Sequence, residues 1–148
     1  MAGPPPARNC LIRKAYGRAL EGVILFGSAA RGRLWESSDI DLLIVVSPKT
    51  PVARQLYRTW DDRLARGFQL LPRPIAAQFV ALPEQVGQAG GIWFEAALEG
   101  VVLADPQLRL SRLIALLRQE ILAGRVVRKL VHGQPYWLTP RSTKGQAA

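Results

Sequence analysis

The run Ile40-Asp41-Leu42-Leu43-Ile44-Val45-Val46 constrains this chain more than any other segment. Five apolar side chains in a row cannot alternate between core and water, so the run predicts a central strand covered on both faces. Ser47-Pro48 ends it, since proline interrupts a sheet ladder. Such a strand needs neighbours on its edges and helices above and below.

Other segments have the patterns to supply them. Ala7–Leu20 brings Leu11, Ile12, Ala15, Ala19 and Leu20 near one face and predicts an opening helix. Val23–Phe26 predicts a short buried strand that stops at Gly27-Ser28, and a polar segment follows through Ser38. Val52–Ala65 places Leu56, Trp60 and Leu64 at i, i+4, i+8 as a helix that Gly67 can end. Ile75–Val80, bounded by Pro74 and Pro83, predicts a third strand. Ile92–Leu98 follows as a short helix, and Val101–Leu103 as an edge strand before Asp105-Pro106. Leu108 to about Leu122 carries a wide apolar stripe, Leu110, Leu113, Ile114, Leu117 and Ile121, suited to docking on a sheet. The expected architecture is α/β: a small mixed sheet flanked by helices in one domain over residues 7–106. Residues 107–138 form a C-terminal helix and basic segment packed on it, and 139–148 a disordered tail.

The net charge of +9 is concentrated at one end. Residues 1–106 hold 12 Lys and Arg against 10 Asp and Glu, whereas residues 107–148 hold 8 against Glu120 alone. A field of this sign favours anionic partners, nucleic acid at the basic C-terminus among them, without choosing between them. Tyr136-Trp137, among Arg125, Arg128 and Lys129, can either stack on bases or fold back on the core. Trp35, Trp60 and Trp93 have apolar neighbours and read as packing residues. Cys10 and His132 are the only residues of their kinds, which excludes an internal disulfide and multi-cysteine or multi-histidine metal sites. No apolar stretch reaches the ~18–20 residues of a membrane span, and the Pro-rich start does not resemble a signal peptide, so a cytoplasmic protein is expected.

The chemistry-bearing stretch begins at the end of the first strand. Asp39 and Asp41, two apart at the entrance to an apolar strand, point to one side while Ile40 points to the other. Paired acids there are often solvated caps, but they also suit a shared divalent cation, and Mg²⁺ prefers carboxylate and phosphate oxygens. Gly27-Ser28 follows a buried strand and permits close backbone approach, which makes the turn a ready anion site. Together the two elements describe a site for a metal-bound triphosphate. A haloacid-type phosphatase would need Thr or Val where Leu43 stands, and a P-loop would need Gly-Lys-Ser/Thr where Gly32-Arg33-Leu34 stands.

Gly27-Ser28, ten residues, then Asp39-x-Asp41 is the signature of the DNA-polymerase-beta-like nucleotidyltransferase superfamily. Phe26-Gly27-Ser28-Ala29-Ala30-Arg31-Gly32 and Ser38-Asp39-Ile40-Asp41-Leu42-Leu43 resemble its minimal members, including the antitoxins paired with HEPN-type toxins. The resemblance implies that Gly27 and Ser28 hold phosphates, that Asp39 and Asp41 bind Mg²⁺ and are catalytic, and that ATP is the substrate. Arg31 and Arg33 stand close enough in sequence to neutralise charge. A HEPN-type protein is the implied partner. Active relatives also present a third carboxylate from a later strand, whereas Ile75-Ala76-Ala77-Gln78-Phe79-Val80 has none and places Gln78 at or near that position. An amide can ligate weakly but cannot act as a base. Glu36 and Glu84 are the acids available from loops.

Overall fold

The computed structural model describes residues 6–26, 40–65 and 75–139. Helix α1 (Pro6–Tyr16) leads through a 3-10 turn into β1 (Leu20–Phe26), followed by β2 (Ile40–Val46). Helix α2 (Arg54–Thr59) continues as a π turn, Trp60–Leu64, and β3 (Ile75–Ala81) comes next. Then come α3 (Gly91–Glu99), β4 (Val101–Ala104), α4 (Arg109–Leu122), β5 (Val127–Val131) and β6 (Gln134–Leu138). The strands form a four-stranded sheet in the order β3-β2-β1-β4 and a separate hairpin, β5-β6. β1 is antiparallel to β2 and β4, while β2 and β3 run parallel, so the main sheet is mixed.

β2 is central, and Leu42, Leu43, Ile44, Val45 and Val46 are fully buried. Each such side chain contributes about 1.5–3 kcal/mol on burial, which fixes the register of the strand between two cores. Leu42, Ile44 and Val46 meet Ile12 and Tyr16 of α1 and Leu56, Trp60 and Leu64 of the α2 segment. Leu43 and Val45 meet Trp93 and Phe94 of α3 and Leu110, Leu113 and Leu117 of α4. Trp60 and Trp93 are thus packing residues; Trp35 lies outside the described residues.

Two backbone features let α4 seat on the sheet. A Cβ on Gly22 would collide with the Leu110 side chain and the Ala104 carbonyl, so a residue with no side chain is required there. Leu108, just before α4, is held in the left-handed region at φ 64°. The Asp105 carboxylate accepts from the amides of Leu110 and Ser111 at 3.3 and 2.8 Å and satisfies donors of the first turn.

Beyond α4 the structure adds an element that the sequence reading left unassigned. Within the alternation Val126 to Val131, Val127–Val131 forms a strand, and His132 and Gly133, both with positive φ, make the two-residue turn of a tight hairpin. Trp137 folds back: its ring stacks on Phe94 at 5.3 Å and its indole N–H donates to Glu95 at 2.8 Å. Arg128 donates to the same carboxylate, while Tyr136 stays exposed. Residues 140–148, which hold most of the expected disordered tail, lie outside the described residues. Among the described residues no helix is long and apolar enough to cross a membrane.

Candidate functional site

Asp41 is the second residue of β2 and is half-buried. Strand pairing sets its surroundings: Phe26, the last residue of β1, is its partner on one side, and Ala76 of β3 on the other. The chain therefore leaves β1 directly across from this carboxylate. Side chains alternate along a strand, so Asp41 shares its direction with Leu43 and Val45 and lies on the α3/α4 side, while Ile40 packs against the opposite core. That is the separation of Ile40 from the acid expected from the sequence. Gly27, Ser28, Arg31, Arg33, Glu36 and Asp39 lie outside the described residues.

The parallel register clarifies where a third carboxylate would stand. Ala76 is level with Asp41, whereas Gln78 is level with Leu43, on the same face and one pleat, roughly 6–7 Å, farther along. Gln78 is exposed. Ala76 was not singled out from the sequence, although aligning the first apolar residues of the two runs, Ile40 and Ile75, would have found it. Glu84 follows the far end of β3 and belongs to the other end of the sheet, which removes it as a substitute. A carboxylate at a strand entrance is of the oxygen type that a hard cation takes as ligand.

A cavity of about 590 Å³ lies at the opposite end, lined in part by Glu21, Ser47, Leu82 and Arg109, and it does not include Asp41. Glu21 is 1% exposed, and Arg109 clasps it with two bonds of 3.1 and 2.6 Å. Hydrogen bonding to Glu21 raises the guanidinium's pKa further above its usual value. Bonds to Glu95 do the same for Arg128. On the other face of the sheet, burial raises the Tyr16 phenol well above the usual tyrosine range, and its hydroxyl donates to the Leu56 carbonyl at 2.9 Å.

Residues 11–81, from α1 through β3, match the family model for polymerase beta, nucleotidyltransferase. That segment of the chain is similar to a polymerase-beta-type nucleotidyltransferase domain. The matched segment contains the Gly27-Ser28 turn, both acids and the strand bearing Ala76. Among solved structures, a chain from a toxin–antitoxin structure with AMP-PNP superposes with a TM-score of 0.51 at 18% identity, covering 80% of this chain and 90% of that one. A chain from an MntA–HpeT toxin–antitoxin mutant gives 0.49 at 17% identity, with 80% and 91% covered. The first likeness confirms the nucleotidyltransferase fold: a mixed four-stranded sheet flanked by helices. A comparison with curated proteins gives no match.

Proposed function

We propose that this nucleotidyltransferase domain binds a Mg²⁺-complexed nucleoside triphosphate, ATP by family likeness, and transfers its nucleoside monophosphate to a hydroxyl of a protein or other acceptor. The observation that carries the reading is the pairing of Phe26 with Asp41. It starts the Gly27-Ser28 segment beside the strand that the acids enter. Asp39 and Asp41 would hold Mg²⁺, and Gly27, Ser28 and Arg31 the phosphates. The ion's contribution is neutralisation of triphosphate charge. The acceptor oxygen bonds to the α-phosphorus as the α–β bridge breaks, its hydroxyl proton passes to solvent, and pyrophosphate leaves.

One observation favours a second reading. The β3 position level with Asp41 is Ala76, and β3 carries no acid along its length. Positioning and charge neutralisation survive such a loss better than activation of the attacking hydroxyl does. A chain of this kind can bind nucleotide and act mainly as the partner of a HEPN-type protein, as in a toxin–antitoxin pair. Purified protein incubated with Mg²⁺, α-labelled ATP and a HEPN-type protein from a neighbouring gene separates the two. Label on the acceptor with release of pyrophosphate supports the enzyme. Binding without transfer supports the module. No binding, or binding that Asp41→Asn leaves intact, contradicts both.

A further inference from the structure

The end of the sheet remote from Asp41 has the makings of a second binding surface. Ser47 and Leu82, just past β2 and β3, help line the 590 Å³ cavity, so it lies a strand length, roughly 20 Å, from the proposed nucleotide site. Its apolar lining comes from Leu82, Pro83 and Val86 on one side and Leu113 and Leu116 of α4 on the other. Leu116 is 48% exposed, a large apolar side chain on a helix whose Leu110, Leu113 and Leu117 are buried.

Charge sets the chemistry of what fits. Glu21 and Arg109 neutralise each other, which leaves Lys49 and Arg112 facing Glu84 around the same groove. Leu20 and Gln107, sequence neighbours of that ion pair, line a second depression with Arg13, Lys14 and Arg18, and among the described residues no acid lines it. The groove is apolar, and cations outnumber acids along its border and in the neighbouring depression. Nucleic acid would use the cations but leave the leucines against phosphate or sugar, and among the described residues no aromatic side chain lines either depression for a base to stack on.

We infer that this groove receives an amphipathic helix of a partner protein, with apolar residues on Leu113 and Leu116 and carboxylates on Lys49 and Arg112. An apolar stripe laid into a groove supplies the affinity, and the flanking acids fix orientation and exclude basic helices. The two ends of the sheet are far enough apart for helix and nucleotide to bind together.

The test uses the full chain and a fluorescent synthetic helix of about 18 residues, with leucines at i, i+3, i+4 and i+7 and glutamates beside them. Its controls are the same helix with lysine for glutamate, and a mixed-sequence oligonucleotide in single-stranded and duplex form. The acidic helix should bind at least ~10-fold more tightly than the basic one. Arg112→Glu should reverse that preference and Leu116→Glu should weaken both helices, while Mg²⁺·ATP binding stays unchanged. Both side chains are solvent-facing, and thermal melts of the variants confirm folding; Lys49→Glu reads the same charge if Arg112→Glu does not fold. Absence of acidic-helix binding, equal binding of both helices, insensitivity to the charge reversals, or oligonucleotide binding in place of the helix overturns the inference.

Discussion

The central strands carry an acid at each end of the sheet, and the protein treats the two differently. Glu21, at the start of β1, is fully buried and held by two bonds from Arg109. Asp41, at the start of β2, is half-buried and stands where β1 gives way to the Gly27-Ser28 segment. The contrast separates two uses of a carboxylate on an apolar strand. A buried one clasped by an arginine from another element ties α4 to the sheet, whereas one at a strand entrance is proposed here to meet a cation.

If that division is right, substitutions at the two ends have opposite profiles. Asp41→Asn should reduce Mg²⁺-dependent ATP affinity by at least ~100-fold in titration calorimetry. Arg109→Ala should instead lower stability, because it strands the buried Glu21 carboxylate while leaving the nucleotide site untouched. Its urea midpoint should fall further than that of Glu21→Gln, which costs roughly 1–2 kcal/mol and leaves a half-exposed arginine to water. Equal stability losses in the two variants would break the asymmetry.

Tyr16 tests the core beneath the sheet. Its folded pKa lies above the unfolded value of about 10, so above that pH the native state keeps a proton that the unfolded chain has lost. Stability must then fall as pH rises from about 10 toward the folded pKa, with a slope of up to about 1.4 kcal/mol per pH unit from this group. Urea unfolding of Tyr16→Phe should lack that component. The smallest effect belongs to Leu108, 60% exposed in the left-handed region. Leu108→Gly relieves backbone strain and should stabilise the protein by about 0.5–1 kcal/mol, since little burial is lost.

Much of the fold was legible because β2 is so plainly apolar and because Leu56, Trp60 and Leu64 repeat at helical spacing. The sheet order was not, since pairing depends on which strands meet in space and no local pattern encodes it. The hairpin was missed for a related reason. Val126 to Val131 alternates correctly, but two strands joined by His132-Gly133 are marginal alone, and what holds them is the distant contact of Trp137 and Arg128 with α3. The same contacts spend part of the C-terminal positive charge inside the molecule: Arg109, Arg125 and Arg128 each pair with a glutamate. Of the candidate site, the spacing singled out Asp41, which stands at the entrance of β2, while Gly27, Ser28 and Asp39 lie outside the described residues. Ala76 was missed as the neighbour of Asp41 because aligning Ile40 with Ile75 has meaning only once β2 and β3 are known to pair in parallel.

The most direct test of the account replaces Mg²⁺·ATP with Mn²⁺·ATP and follows paramagnetic broadening of backbone amide signals. The nucleotide site proposed here predicts strong broadening at Phe26, Ile40, Asp41 and Ala76, with Lys49, Arg109 and Arg112 spared. Broadening centred on Lys49 and Arg109, or spread evenly over both ends of the sheet, would contradict it.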